Sequence, residues 1–384
     1  MAAVRILVCA SEAPRPPLNG SRLVLRELCE RLAARHEITV LALRHPDQSG
    51  PPPAGVTMLE LPFSPPGPVR AWAQRAIALG LNEPVEVRRL ARPFQRALPG
   101  LVASFDAAHV MLGNLAGIAP ALDGLPAVIA PLDAWDRNIA AEAAVARGPE
   151  ILWRRSQERA VRRWQARAYR PFARVVLVTE ADACEVARLD PLLRTAAIPN
   201  GVDAAHFAPA ADTSRDGILF TGALDAPANE RAALRLAERV LPRVRAAVPE
   251  VELTLAGRSP GRRLRALPGV RVVADVPDLR PYLWGAAVYA CPMDSGTGIK
   301  NKLLEAMAAQ APCVATPLAC QGLTAPDLLV ADTDDELASA IVELLRDPAR
   351  AARIGAAGRA YVREHHDWDV VASAYEALWE EIRR

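Results

Sequence analysis

The sequence predicts an α/β protein of two Rossmann-like, doubly wound parallel-sheet domains in tandem. Three observations carry that expectation. Short apolar runs alternate with longer amphipathic patterns over most of the 384 residues, the mark of repeated βα units. The alternation stops at Ile198-Pro-Asn-Gly-Val-Asp203, runs extended through Pro209 to Asp216, and then resumes. A chain of this length is also too long for one ordinary hydrophobic core. The expected boundaries are 1–198 for the first domain and 199–366 for the second, with a helix over 367–384 returning to the first.

The apolar run Ile6–Ala10 is too short for a secretory signal and is cut by Ser11-Glu12, so it reads as a buried first strand near Val4–Ala10. A helix over Ser21–Ala34 follows, because Leu25, Leu28 and Leu32 recur at helical spacing and arginine and glutamate fill the other face. Further strands are expected near Glu37–Leu43, Val56–Leu61, Ala108–Leu112, Ala127–Pro131, Arg174–Thr179 and Ala196–Ile198. Pro149–Tyr169, rich in arginine and tryptophan, reads as a solvated, partly packed helix; contact with an acidic partner or a lipid headgroup is the competing reading. The second series has strands near Gly217–Thr221, Val251–Ala256, Val270–Ala274, Ala287–Ala290, Cys313–Thr316 and Leu328–Val330. Asp334-Asp335 reads as a helix cap. In the tail, Val371, Tyr375, Leu378 and Ile382 share one helical side.

Composition narrows the function classes. The net charge of +2 gives no general drive towards nucleic acid or an anionic membrane. Of 46 basic residues only Lys300 and Lys302 are lysine, and they fall in one three-residue window. Arginine does not replace lysine where a compact ammonium is needed, so the pair calls for a reason. Cys9, Cys29, Cys184, Cys291, Cys313 and Cys320 form no metal-ligand spacing and read as reduced core thiols of a cytoplasmic protein. No run approaches the roughly 18 apolar residues of a membrane span.

The informative segment is Cys291-Pro-Met-Asp-Ser-Gly-Thr-Gly-Ile-Lys-Asn-Lys-Leu-Leu-Glu-Ala-Met-Ala308. A strand end, a loop with Gly296 and Gly298, and a helix starting near Asn301 together make an anion site, with N–H groups and the helix dipole pointing outward. Lys300 and Lys302 can reach phosphate oxygens there, and Glu305 can accept from the two hydroxyls of a ribose. The competing reading is an ordinary i, i+3 surface pair of Lys302 and Glu305. The spacing is not that of a Walker loop.

Asn301-Lys-Leu-Leu-Glu-Ala-Met-Ala308 with Pro312-Cys-Val-Ala-Thr316 and Ala319-Cys-Gln-Gly322, Ile198-Pro-Asn-Gly-Val-Asp203 with Phe207, and Pro16-Pro-Leu-Asn-Gly-Ser-Arg22 resemble the retaining glycosyltransferases of family 4, closest to the branch tied to exopolysaccharide and exosortase gene clusters. The resemblance implies a GT-B fold whose two domains face a cleft. It also implies a nucleotide diphosphate sugar donor held by the second domain. The implied acceptor, on the first, is a glycan, a lipid-linked glycan or a small aglycone. Carried across, Gly298, Lys300 and Lys302 hold the diphosphate, Glu305 the ribose, and Gly20 lets a first-domain loop close, with Arg22 as a further positive group. Asn200, Gly222, Thr297 and Asn229, the last expected in a loop, complete the donor set. Arg258 and the Val276-Pro-Asp278 turn stand where the family recognises the base, although Arg258 can equally be a surface turn residue.

Departures from the family pattern are visible. Thr297 stands where many members have the first of two glutamates. Ala223-Leu-Asp225 and Asn229 replace an arginine and a lysine, leaving Lys300 and Lys302 as the available cations. The first-domain histidine is missing, and Asp136 is placed as its substitute in contact with sugar or acceptor, or as a helix cap. Lys302, Asp136 and Gly298 form the expected catalytic set, working without metal or further cofactor. A sugar-nucleotide epimerase and a catalytically silent nucleotide-sugar-binding subunit are the alternatives. The expected location is the cytoplasm, with at most peripheral contact at the inner face of the membrane.

Overall fold

The computed structural model describes residues 3–16, 20–64, 66–81, 83–145, 148–210, 213–296, 298–325 and 327–384. The chain divides into two compact units, one reaching to Pro199 and taking in Val371–Arg384, the other Asn200–Val370.

In the first unit seven strands form one all-parallel sheet: β1 (Arg5–Ala10), β2 (Glu37–Arg44), β3 (Thr57–Pro62), β4 (Ala107–Met111), β5 (Ala127–Leu132), β6 (Arg174–Leu177) and β7 (Thr195–Ala197), in the order β3-β2-β1-β4-β5-β6-β7. The central strands β1 and β4 are apolar and buried almost throughout, as a parallel sheet covered on both faces requires. Helices α1 (Gly20–Ala33), α2 (Pro68–Leu81), α3 (Val87–Ala97), α4 (Trp135–Val145), α5 (Pro149–Ala168) and α6 (Glu180–Ala187) connect them. One core gathers Leu7, Cys9, Val110 and Ile129 from the strands with Phe94 of α3 and Tyr169 at the end of α5. The sixth strand stops short of the expected Thr179 because that residue caps α6, its hydroxyl accepting from the Asp182 amide at 3.0 Å. Helix α5 is packed through Ala160, Val161 and Trp164 and leaves Leu152 exposed.

The second unit has a six-stranded parallel sheet of β8 (Asp216–Ala223), β9 (Leu253–Arg258), β10 (Arg271–Ala274), β11 (Ala286–Cys291), β12 (Cys313–Ala315) and β13 (Leu329–Val330), ordered β10-β9-β8-β11-β12-β13. This is the doubly wound order, with its reversal between β8 and β11. The helices are α7 (Pro227–Arg235), α8 (Leu241–Ala247), α9 (Arg262–Arg265), α10 (Arg280–Gly285), α11 (Asn301–Ala308), α12 (Asp334–Arg346) and α13 (Pro348–His365). The cap of α12 is Thr333 in a capping box with Glu336, not Asp334; the buried Asp334 carboxylate instead takes Arg235 at 2.7 Å and Arg239. Gly201 is glycine for a steric reason, since a Cβ there would lie 2.5 Å from the Trp368 ring.

The last helix, α14 (Trp368–Arg383), places Val371, Tyr375, Leu378 and Trp379 in the first unit's core, while Ile382 is half-buried. Tyr375 stacks on His109 of β4 with ring centroids 5.0 Å apart, and Glu376 meets His36 at 2.7 Å and Arg35 at 3.0 Å. Each large ring buried there contributes ~2 kcal/mol. All six cysteines are free thiols, but Cys184 is exposed and Cys320 half-buried, so the expectation of core thiols holds only for the other four.

Candidate functional site

The reversal between β8 and β11 opens a crevice at the carboxyl ends of those two strands, where doubly wound sheets take ligands. Strand β8 ends in Thr221-Gly222-Ala223 and leads to α7; β11 ends in Cys291 and leads through the glycine loop to α11. The loop turns on Gly296 at φ 103° and Gly298 at φ 66°, conformations that glycine adopts without strain. Thr297 lies outside the described residues. Leu303, Leu304, Ala306, Met307 and Ala308 bury the inner face of α11, so its first turn is held rigidly, and no side chain at its N-cap closes that turn.

Lys302 is the centre of the arrangement. Its Nζ donates to Asn229 Oδ1 and lies 5.2 Å from the centre of the Phe220 ring. Asn229 sits in the first turn of α7, not in a loop as expected, and its Nδ2 donates to Ala223 O at 2.9 Å, which turns its oxygen towards the lysine. Gly222, at φ 153°, makes room: a Cβ would come within 3.1 Å of Asn229 Nδ2 and 3.2 Å of Lys302 Nζ. Lys300 is buried, and its Nζ donates to Gly298 O at 2.7 Å, bracing the loop. Asn200 reaches the same helix start, with Nδ2 donating to Asn301 Oδ1 at 3.3 Å.

Burial works against both charges of the site. Burial pushes the Lys302 ammonium pKa down, opposed by Cys291 and Glu305. Burial likewise pushes the half-buried Glu305 carboxyl up, opposed by Lys302. The Cys291 thiol is pushed up to about 11 by burial, which leaves it inert as a nucleophile. An anion beside Lys302 restores what burial takes from the ammonium, and a hydroxyl pair beside Glu305 solvates the carboxylate.

Family comparison matches residues 18–206 to Glycosyltransferase Family 4 and residues 215–347 to Glycosyl transferases group 1. The first match falls almost wholly in the first unit and the second match within the second unit. A phosphatidyl-myo-inositol mannosyltransferase of Mycolicibacterium smegmatis is 33% identical over 203 residues, 48% of this chain and 51% of that protein. Its Mycobacterium leprae counterpart is 34% identical over 202 residues, 48% and 53% respectively. The chain thus spans about half the length of these curated relatives. Among solved structures, sucrose-phosphate synthase from Thermosynechococcus elongatus aligns with a TM-score of 0.70 and 18% identity over 98% of this chain and 99% of that one. Anabaena Alr3699/HepE in complex with UDP aligns at 0.67 and 14%, covering 98% and 100%. The fold is GT-B, two Rossmann-like parallel-sheet domains.

The remaining expected residues divide between these domains. In the family 4 domain Gly20 opens α1 and is exposed, with open space where a Cβ would stand. Arg22 is not a spare positive group: it is buried, and its guanidinium is held by Glu12 at 2.8 Å and Asp47 at 2.9 Å, fixing the start of α1 to the loops after β1 and β2. Asp136 is buried in the first turn of α4 with Arg162 of α5 at 3.6 Å; burial raises its carboxyl pKa, and Arg162 opposes the rise. In the group 1 domain Arg258 ends β9, exposed, with Asp225 at 4.0 Å, and Asp278 is taken by Arg280 at 2.8 Å. Sequence reasoning missed Phe220, whose ring faces the Lys302 ammonium, and Arg231, which meets Ser295 and Asp294 of the glycine loop. Arg231 was discoverable as the cation two residues beyond Asn229.

Proposed function

We propose that the chain transfers a sugar from a nucleotide diphosphate sugar to an acceptor hydroxyl with retention of configuration, and that its own lysines, not a metal ion, carry the phosphate charge. The observation that supports this is the Lys302 ammonium, held by Asn229 in the space left by Gly222, at the ends of the two strands flanking the sheet reversal. As the bond to the sugar breaks, negative charge grows on the leaving phosphate, and preorganised cations and loop N–H groups aimed there lower the barrier. Lys302 faces the phosphates directly; Lys300 keeps the Gly298 loop in place and adds a second positive charge. Glu305 takes the ribose hydroxyls. Asp136, in the other unit, would meet sugar or acceptor, and Arg258 the base.

The mannosyltransferase relatives act, by name, on phosphatidyl-myo-inositol, which favours a hexose as the sugar and a lipid-linked acceptor, in keeping with an exopolysaccharide-type role at a membrane surface. A thermal-shift screen against UDP, GDP, dTDP and ADP with their sugars tests the donor half. Transfer to lipid extracts, with and without chelator, tests the rest. Stabilisation by none of the nucleotides removes the donor assignment, and loss of transfer on chelation with recovery on added divalent ion removes the metal-free mechanism.

A further inference from the structure

Outside the donor site, the first unit contains a cavity of about 560 Å³ between α2 and α3, beside the end of β3. Ligand cavities typically span roughly 300–1,000 Å³. Its two walls differ in chemistry. On the α2 side stand Ile77, Ala78 and Leu81, and Ile77 and Leu81 remain 56% and 47% exposed. On the α3 side stand Arg88, Arg89, Arg92 and Arg96, with Glu83 at the rim taken by Arg88 through bonds of 2.5 and 3.2 Å. Arg89 lies 4.7 Å from the Phe63 ring and gives one 3.4 Å bond to Glu86. Its Nε and Nη1 are buried without a hydrogen-bond partner among the described residues. Orphaned buried donors destabilise the fold, and more so when charged. Exposed aliphatic side chains beside orphaned cationic donors are two separate costs that one kind of ligand relieves.

We propose that this cavity binds a single amphiphile, a phosphate ester carrying an aliphatic chain. The phosphate meets Arg92 and, as the Arg89 guanidinium turns off the Phe63 ring, accepts from the Nε and Nη1 this frees, and the chain lies along Ile77, Ala78 and Leu81. Nothing in this assignment depends on the donor site of the second unit, so either can fail without the other.

The test is calorimetric titration of the full chain with monomeric octyl phosphate, octyl glucoside and inorganic phosphate. Octyl phosphate should bind about tenfold or more tighter than either of the others. Arg89→Met should reduce octyl phosphate to the octyl glucoside level, and the neutral Ile77→Asn should weaken octyl phosphate about tenfold while leaving inorganic phosphate unchanged. Because Arg89 packs on Phe63, the exposed Arg92→Gln supplies the same test if Arg89→Met does not fold. Equal binding of octyl phosphate and octyl glucoside, unchanged affinity in the arginine variants, or displacement by UDP or GDP overturns the assignment. So does binding to phosphatidylglycerol vesicles without binding of octyl phosphate, because a membrane patch needs no cavity.

Discussion

Replacing Lys302 by methionine keeps the length of the side chain and removes its charge at the point where the proposed function puts the donor phosphates. An ammonium about 4 Å from a phosphate oxygen, at an effective dielectric near 20, interacts by ~4 kcal/mol. Only the share that grows as the leaving group takes up charge accelerates the step; ~3 kcal/mol of it is worth about two orders of magnitude in kcat. The remaining ~1 kcal/mol appears as about a fivefold loss of nucleoside diphosphate affinity. The ligand-free fold should tolerate the change. Burial already works against the Lys302 ammonium, so losing it relieves a cost while forfeiting attraction to Glu305, and the melting temperature should move by less than ~4 °C. The assays are nucleoside diphosphate release in the presence of acceptor, and calorimetry of the diphosphate against the bare nucleoside. Nucleoside affinity should be unchanged. Unaltered turnover, an equal loss of nucleoside binding, or a melting temperature lower by ~10 °C refutes a phosphate contact and leaves a structural lysine.

Three further variants test the same geometry. The folded Glu305 carboxyl lies above its ordinary 4.5, so its ionisation costs stability at neutral pH; Glu305→Gln should melt higher than the parent at pH 8, with the gain shrinking as pH falls through the carboxyl range. The same variant should raise the donor KM about tenfold with little change in kcat, read by steady-state kinetics. Gly257→Ala places a Cβ 1.8 Å from the Gly222 carbonyl oxygen at φ 156°, a backbone clash expected to cost more than ~3 kcal/mol and to abolish nucleotide binding, checked by chemical denaturation. His109, buried with neither ring nitrogen bonded among the described residues, titrates near 4 in place of 6.5. The unfolded chain therefore takes up that proton first, and ~3 kcal/mol of stability present above pH 6.5 is lost as pH falls towards 4. His109→Phe, between Tyr375 and Trp379, should flatten that acid slope in thermal melts; an unchanged slope refutes it.

The sheets were legible because parallel strands buried on both faces leave continuous apolar runs, and the reading near Val4–Ala10 or Ala287–Ala290 needed only that contrast with neighbouring helices. The glycine loop and the helix after it were legible for another local reason: glycines at positive φ, two isolated lysines and a short apolar helix all fall within one contiguous stretch. Element ends were read less well. Thr179 and Thr333 act through hydrogen bonds three residues ahead, and Asn229 belongs to a helix whose start is set by Pro227.

What the sequence determined by itself, then, is the period of the elements, the break near residue 198 and the glycine loop that leads into a helix start. Only the tertiary structure decided which charges stay available for ligands. Arg22 and Lys302 look alike in a sequence, each a cation beside a glycine near a helix start. Long-range packing commits Arg22 to Glu12 and Asp47, while it sets Lys302 against a neutral amide and a ring. Asp136 has Arg162 only at 3.6 Å, and Arg89 keeps two buried donors without a partner among the described residues. The physical reason is range: periodicity and turn chemistry act over a few residues, whereas the partner of a charge is chosen by strand order, which brings Asn229 to Lys302 across 73 positions of chain.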